Sequence, residues 1–367
     1  MQADVQQNNL SKPWHTDCVS RDEKQLGDDA LIEEIAFRKE PVQFEVAWQI
    51  PPGVKPVEEL PEALIDGDSP DAVLRLSDSG RLAARCSLWW SGTPVCLGRK
   101  TGYIGHYAAS DDKVSARLLD NACQLLQTAG AEQAIGPVDG STWRRYRFIT
   151  SSDETPPYFL EPTNPPDCAE QWRKSGFTTF ARYFSSLSDL QIAKAADVGA
   201  LEQRLRCEGV SIRPFEMSAF RAELQRLFRV CMESFAGNLL YAPIAEEEFM
   251  RQYEKLRSVI VPELALVAER NNQPVGFVLV LPDIENVDSR RLPDTVVLKT
   301  LARLPGRALR GLGELLLVRG QAAARQMGYS KIIHALMHES NNSIVLSKKY
   351  GSRIFREYQL FARGLDS

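Results

Sequence analysis

Residues 303–331 carry the most distinctive chemistry of the sequence. The segment PGRALRGLG at residues 305–313 lies between a predicted strand and a predicted amphipathic helix. Glycines at 311 and 313 leave several backbone N–H groups unshielded at the first helical turn, where the helix dipole adds roughly half a positive charge. The stretch is also cationic, because the single acid Glu314 stands against Arg303, Arg307, Arg310, Arg319, Arg325 and Lys331. This combination predicts an anion-binding turn; a tight turn whose glycines only permit close packing is the alternative.

The cationic stretch contrasts with the charge of the whole chain. The 367 residues contain 44 Lys and Arg against 48 Asp and Glu, which gives a net charge of −4. A chain with this balance lacks the overall positive field that supports nonspecific binding to nucleic acids or to anionic membranes. We therefore expect a phosphate-bearing small ligand at residues 303–331, and we do not expect a nucleic acid or a membrane as a partner.

The cysteines and the hydropathy pattern exclude further classes of protein. Seven cysteines are scattered without a C-x-x-C pair or a histidine at metal-ligand spacing, so we expect free thiols and no metal site. The N-terminal residues show no basic segment followed by an apolar one, and no apolar run is long enough to span a bilayer. These patterns predict a cytoplasmic protein.

Two rounds of alternating strands and helices must position the cationic turn. Each round follows the order hairpin, strand, loop, helix, strand, short helix, glycine and strand, which indicates an internal duplication. The predicted fold is therefore α/β (α+β), with tandem lobes that each contain a mixed, mostly antiparallel twisted sheet flanked by helices. We expect a polar, disordered arm at residues 1–28, a first lobe at 29–195 and a second lobe at 196–367.

The order and spacing of these features resemble the GNAT acyltransferase superfamily. Pro305 lies eight residues before Gly313, the following helix ends at Gly328, and Asn341 lies ten residues before Gly351. In that family the signature Pro-x-x-[Arg/Gln]-x-x-Gly-x-[Gly/Ala] forms the loop that holds the pyrophosphate of an acyl-coenzyme A. The resemblance covers residues 208–364, is weaker over 50–190, and is greatest to a bacterial subgroup of two-lobed GNAT proteins.

The sequence departs from the family pattern at several positions. Ala308 occupies the Arg/Gln position of the signature, and Leu309 occupies a position that is often glycine. Ser347 and Lys348 occupy the positions nearest to the tyrosine that often serves as general acid, while Tyr350 lies next to Gly351.

The resemblance implies an acyl-CoA-dependent N-acyltransferase (EC 2.3.1.-). An acyl group, acetyl by default, would pass to the amine of a small molecule by direct attack in a ternary complex, without a metal. The coenzyme-binding residues implied are Leu301, Arg303, Arg307, Arg310, Gly311, Leu312, Gly313, Glu314 and Asn341.

The catalytic residues follow from the same resemblance. In GNAT proteins the two strands that correspond to residues 295–305 and 331–340 splay apart, and a free backbone N–H between them can polarise the thioester carbonyl. Strand alternation predicts that His334 and His338 share one face and that Glu339 lies on the other. The candidate catalytic residues are His334, His338, Glu339 and Tyr350, and the candidate acceptor-binding residues are Tyr241, Asp283 and Trp143.

The first lobe lacks the anion-binding turn. At the corresponding place Asp111 and Asp112 replace the glycine pair, and their charges would repel a pyrophosphate, so this lobe is expected to shape the acceptor pocket instead. Alternative functions are a degenerate GNAT fold that binds without turnover, or an acyltransferase whose donor is an acyl carrier protein or an aminoacyl-tRNA. The oligomeric state stays open, with a homodimer as one possibility.

Overall fold

The computed structural model describes residues 40–47, 56–78, 80–191, 198–285 and 294–365. The predicted arm at 1–28 and the predicted lobe boundary at 195–196 lie outside these ranges. The strands are β1 (Val42–Ala47), β2 (Ala72–Asp78), β3 (Arg81–Trp89), β4 (Thr101–Ala109), β5 (Gln133–Gly136), β6 (Phe148–Ser152), β7 (Thr178–Asp189), β8 (Val210–Pro214), β9 (Ala265–Arg270), β10 (Gln273–Pro282), β11 (Thr295–Arg303), β12 (Lys331–His338) and β13 (Arg353–Gly364). The helices are α1 (Glu62–Asp68), α2 (Asp112–Thr128), α3 (Cys168–Lys174), α4 (Gly199–Cys207), α5 (Phe220–Phe235), α6 (Glu246–Glu254), α7 (Leu312–Gln326) and α8 (Asn342–Lys349).

One continuous mixed sheet connects the two rounds of elements. Its strand order in the described part is β1-β2-β3-β4-β5-β13-β7-β12-β11-β10-β9-β8, with β6 paired to β13. The pairs β1–β2, β4–β5 and β11–β12 are parallel, and the other pairs are antiparallel. The predicted fold class, a mixed, mostly antiparallel sheet with flanking helices in two lobes, is confirmed. We call β1 to β7 with α1 to α3 the first lobe, and α4 to β13 the second lobe.

The two lobes exchange their last strands. β7, the last strand of the first lobe, pairs with β12, and β13, the last strand of the second lobe, pairs with β5. β7 and β13 also pair with each other along most of their length. The exchange places first-lobe side chains directly beside β12, where the sequence resemblance locates the chemistry.

Each lobe has its own apolar core. In the first lobe α2 buries Val114, Leu118, Leu119 and Leu126 in the cluster formed with β2, β3 and β4. In the second lobe the apolar stripes of α5, α6 and α7 are buried with β9, β10 and β11. Full burial of one such leucine contributes roughly 1.5–3 kcal/mol, so the helices are held mainly by these stripes.

Three elements appear in segments that the sequence analysis left without regular structure. α1 begins at Glu62, directly after the proline-rich residues 51–61, β6 follows the turn-forming residues 136–143, and α4 lies in the polar residues 188–208 between the lobes. The six cysteines of the described part are free thiols, of which Cys207 alone is exposed. Within the described ranges, no helix combines the length and the apolar character needed to cross a membrane.

Candidate functional site

The strands β11 and β12 separate halfway along their length. Their parallel ladder ends at the pair Leu298 and His334. At this same point β11 has a β-bulge, because Leu279 and Val280 of β10 pair with Thr300 and Leu298 and leave Lys299 as the extra residue. A bulge bends its strand and interrupts the pairing. The result is a notch between the two strands, which is the splayed geometry that the family resemblance implies.

A second bulge, in β12, shapes the other side of the notch. His334 pairs with Ser186 and Met337 with Phe184, so one extra residue lies between them. Leu336 in this bulge has a φ of 56°. Its N–H donates to Ser185 Oγ at 3.2 Å, and its carbonyl accepts from an Arg147 guanidinium nitrogen at 3.4 Å. First-lobe residues thus hold the bulge of the second lobe in place.

The bulge overturns one prediction about the histidines. Regular alternation would place His334 and His338 on one face, but one extra residue between them shifts the alternation by one. His334 pairs with Ser186 and His338 with Tyr183, three residues apart on β7, so the two histidines lie on opposite faces. The prediction of a shared face is therefore wrong.

His334 is buried within a hydrogen-bonded cluster. It is 3% exposed, its Nδ1 lies 2.8 Å from Ser347 Oγ, and its Nε2 lies 3.3 Å from Gln321 Nε2. Burial lowers the pKa of His334 to about 4. A neutral imidazole with both nitrogens engaged is not placed to exchange a proton with a substrate, so its position is that of a structural residue.

His338 has the properties that His334 lacks. Its side chain is half-buried, its Nδ1 lies 2.8 Å from Ser340 Oγ, and its ring lies edge-on to Tyr183 with centroids 4.9 Å apart. Burial lowers the pKa of His338, the nearby charge of Glu339 raises it, and Arg147 lowers it further. The Ser340 N–H donates to His338 Nδ1 at 3.2 Å, so Nδ1 is the acceptor nitrogen of the neutral ring and Nε2 carries the proton. A proton can therefore reach His338 through the Ser340 hydroxyl, which also lines the cavity.

Three other candidates lie away from the cavity that opens at the notch. Glu339 is exposed and accepts a hydrogen bond from the Arg182 N–H at 3.1 Å. The Tyr350 hydroxyl donates to Glu314 Oε1 at 2.6 Å, and burial, followed by this contact, raises its pKa. Asp283 is buried and accepts from the Phe159 N–H at 2.8 Å. None of these three residues lines the cavity, and Tyr350 instead contacts Glu314 at the α7 N-terminus.

The loop before α7 presents unpaired backbone donors. Gly311 is the N-cap of α7 with a φ of 84°, and no side chain caps this end. In the described part of the chain, no hydrogen bond engages the N–H groups of Gly311, Gly313 and Glu314. Arg204 of α4 donates to the carbonyls of Ala308 and Arg310 on the same loop. The loop therefore keeps free N–H groups at a helix N-terminus, an arrangement that binds anions.

The corresponding end of α2 in the first lobe is closed by its own side chain. Asp111 Oδ1 accepts from the N–H groups of Lys113 and Val114 at 2.8 and 2.9 Å. This cap occupies the donors that α7 leaves free. Of these two helix ends, only that of α7 keeps free the N–H groups that an anion would need.

The remaining coenzyme-binding candidates surround the α7 N-terminus. Arg303, Arg307 and Arg310 are exposed, and none of them forms a salt bridge with a described residue. Leu312 is buried in the core, whereas Leu301 lines the cavity. Asn341 also lines the cavity, and its side chain caps α8 by accepting from the Ser343 N–H at 3.0 Å.

The notch opens into a cavity of about 1190 Å³ lined by both lobes. Trp143 of the first lobe donates its indole N–H to the Ala242 carbonyl at 2.8 Å and stacks edge-on against Phe235, Tyr241 and Phe249. Trp143 and Tyr241 both line the cavity, as His338 does. The structure thus brings together the notch, one available base and two aromatic wall residues.

The sequence contains three arginines directly after Trp143, at 144, 145 and 147, which suggest a binding group for an acidic acceptor or a solvated basic turn. Arg147 lines the cavity. Sequence reasoning missed three further residues: Lys299 lines the cavity, Ser185 holds the β12 bulge, and Glu161 forms a buried pair with Arg356 at 2.9 Å. A bulge and a strand exchange leave no local signal in a sequence. Among the described residues no cluster of His, Cys, Asp and Glu could hold a metal ion.

No protein-family model matches the chain. The chain is 25% identical over 192 residues to a protein of Caulobacter vibrioides named bacterial ceramide synthase, a match over 51% of this chain and 49% of that protein. It is also 25% identical over 191 residues to Protein YghO of Escherichia coli, over 51% of this chain and 48% of that protein. The chain therefore spans about half the length of the curated relatives it matches.

The chain is similar to several solved structures at low sequence identity, with TM-scores below 0.5. A tandem GNAT protein from the clavulanic acid biosynthesis pathway is 12% identical, covers 85% of this chain and 91% of that chain, and has a TM-score of 0.47. A GCN5-related N-acetyltransferase from Sphaerobacter thermophilus is 11% identical, covers 79% of each chain, and has a TM-score of 0.46.

Proposed function

We propose that the protein is an acyl-CoA-dependent N-acyltransferase. One observation carries the proposal: the same strand, β11, ends its pairing with β12 at Leu298 and then leads into the loop whose N–H groups stay free at the start of α7. An acyl-CoA needs both features, a cationic N–H cradle for its phosphates and an open notch for its thioester.

The chemistry of the notch needs no side-chain nucleophile. The acceptor nitrogen attacks the thioester carbon, the C–S bond breaks, and coenzyme A leaves as a thiol after taking up a proton. Backbone N–H groups beyond the end of the β11–β12 ladder would stabilise the oxyanion. His338 would take up the proton that the attacking amine loses, because its imidazole is neutral and its Nδ1 is an acceptor. The Ser340 hydroxyl, 2.8 Å from Nδ1, would give its proton to Nδ1 as it receives the proton of the amine.

The volume of the cavity bears on the length of the acyl group. Cavities for drug-sized ligands hold about 300–1,000 Å³, and this cavity, at about 1190 Å³, exceeds that range. This space has room for an acyl chain longer than acetyl or for an amine of more than minimal size. The name of one relative, bacterial ceramide synthase, also favours a longer acyl chain, because a ceramide is a long-chain amide. We therefore extend the proposal from acetyl-CoA to longer acyl-CoA donors.

Release of free thiol from acyl-CoA tests the proposal. Acetyl-, octanoyl- and palmitoyl-CoA are each incubated with a panel of amines, and thiol and amide are quantified together. The proposal expects amine-dependent thiol release that falls at least tenfold in His338→Ala. Coenzyme binding without thiol release on any amine would favour a binding protein, and turnover only with an acyl carrier protein or an aminoacyl-tRNA would favour the other donors.

A further inference from the structure

The cavity carries positive charge that the protein itself does not neutralise. Glu161 is the one acidic residue among the described residues that line it. Its carboxylate is already engaged by Arg356 at 2.9 Å and by the Tyr358 hydroxyl. The lining residue Arg144 is likewise neutralised, by Asp68 at 3.2 Å and Glu248 at 3.7 Å. These pairs leave the other lining cations without a counter-charge.

Arg147 is the most constrained of these cations. It is 5% exposed, and its guanidinium lies between the rings of Tyr146 and Tyr183, 3.6 and 4.1 Å from their centroids. Its hydrogen bonds go to the carbonyls of Tyr146 at 3.3 Å and Leu336 at 3.4 Å, and no described carboxylate pairs with it. Stacking on aromatic rings offsets only part of the desolvation of a buried guanidinium. An anion entering the cavity would complete its environment.

Two further cations stand on other walls. Lys299, the bulged residue of β11, opens to the cavity with no hydrogen bond or salt bridge to a described residue, and its ammonium lies 6.0 Å from the Tyr253 ring centroid. Arg145 hydrogen-bonds to Thr163 Oγ1 at 3.0 Å and forms no salt bridge within the described ranges. A cavity lined in this way has a positive potential in a chain whose net charge is −4.

This charge is separate from the cradle for the donor's phosphates. The cradle lies in the loop before α7, and none of its residues from 304 to 314 lines the cavity. The cavity begins at the notch, where the acyl group and the acceptor would meet. The anion that these cations attract therefore belongs to the acceptor side of the reaction.

We propose that the acceptor is an amine that also carries an anionic group, a carboxylate or a phosphate, and that Arg147 binds this group with Lys299 and Arg145 adding to the positive potential. That the anionic amine is an acyl acceptor rests on the proposed function, whereas the anion subsite itself does not. The planar guanidinium of Arg147 is suited to two-oxygen recognition of either anion.

Three amines with similar stems test the proposal: ethanolamine, β-alanine and O-phosphoethanolamine. With one acyl-CoA donor, we expect kcat/KM for at least one anionic amine to exceed that for ethanolamine about 10- to 100-fold. Arg147→Met should remove this preference and leave the Kd of acetyl-CoA within twofold, and Lys299→Met should reduce the preference. The relative rates of β-alanine and O-phosphoethanolamine distinguish carboxylate from phosphate.

Two controls keep a structural role of Arg147 distinguishable from a recognition role. Arg173→Met removes an arginine that also lies over an aromatic ring, that of Phe361, but outside the cavity, and should not change the preference. Arg147→Lys keeps the positive charge but lacks the planar guanidinium. It should retain part of the preference for anionic amines even if Arg147→Met folds poorly. A wild-type enzyme that prefers ethanolamine, or a preference that survives in both Arg147→Met and Lys299→Met, would overturn the proposal.

Direct binding separates this inference from the proposed function. Calorimetric titration with O-phosphoethanolamine and with β-alanine needs no turnover. Binding that weakens about tenfold or more in Arg147→Met, without thiol release on any amine, would support the anion subsite and contradict the acyltransferase. Turnover of amines together with no Arg147-dependent binding would support the acyltransferase and contradict the subsite.

Discussion

Substitution of Gly313 should stabilise the protein while it abolishes coenzyme binding. Gly313 is the second residue of α7, and its φ is not in the left-handed region. A Cβ built on it would find only Arg303 Cδ, at 4.0 Å. The free protein therefore has room for a side chain here, and a bound pyrophosphate would compete for the same space.

The substitution should raise the stability of the free protein and lower its affinity for coenzyme A. Replacing a helical glycine by alanine stabilises a helix by about 0.5–1 kcal/mol. An aspartate in the first turn adds about 0.3–1 kcal/mol through the helix dipole. The same carboxylate about 4 Å from a phosphate charge would repel it by about 4 kcal/mol at an effective dielectric constant of about 20, which is roughly a thousandfold in Kd. Gly313→Asp should thus leave Tm unchanged or raised and weaken coenzyme A binding roughly a thousandfold.

The assay combines thermal unfolding with calorimetric titration of coenzyme A. Gly67→Ala is the matched control, because Gly67 lies in helix α1 and a Cβ there meets nothing within 4 Å. Gly67→Ala should raise stability by a similar amount and leave the Kd of coenzyme A unchanged. Wild-type affinity in Gly313→Asp would refute the assignment of the α7 N-terminus as the phosphate cradle.

Three further predictions concern the notch and its supports. The lowered pKa of His338 places the acid limb of kcat/KM below the ordinary imidazole value of about 6.5, and the limb should vanish from the pH profile of His338→Gln. The pKa of His334 is about 4 in the folded protein and about 6.5 in the unfolded chain, so its contribution to stability is complete above pH 6.5 and is lost as the pH falls toward 4. The free energy of unfolding in urea should therefore be about 2 kcal/mol lower at pH 5 than at pH 7.5, and His334→Gln should lack this difference. Ser185→Ala leaves the half-buried Leu336 N–H without its acceptor, so kcat should fall about 10- to 100-fold while the Kd of coenzyme A, measured by calorimetry, stays constant.

The sequence predicts the elements of this protein well where periodicity and glycines mark them. The strand, glycine loop and helix at residues 295–326 follow a pattern that the structure reproduces as β11 and α7. α2 is similarly clear, because its apolar residues recur every three or four positions and Asp111 precedes them. By contrast, α4 has a single fully buried side chain, Leu205, and so lacks the apolar stripe that would reveal it.

The site is only partly predictable, since non-local pairing decides its geometry. The cradle could be found from Gly311 and Gly313, which are close in sequence. The faces of His334 and His338 could not, because the bulge at Leu336 depends on its pairing with β7 from the other lobe. Arg147 reaches the notch through the same exchange of strands. Residues that meet through such long-range contacts carry no common signal along the chain.

The structure of the protein bound to an acyl-CoA would show whether the α7 N-terminus and the notch hold the donor. We expect a pyrophosphate within hydrogen-bonding distance of the N–H groups of Gly311, Gly313 and Glu314, and a thioester between Lys299 of β11 and Leu336 of β12. We also expect His338 and the Ser340 hydroxyl on the cavity wall next to the acyl carbonyl. A coenzyme bound elsewhere on the protein, or a notch left empty at saturating acyl-CoA, would overturn the proposed function.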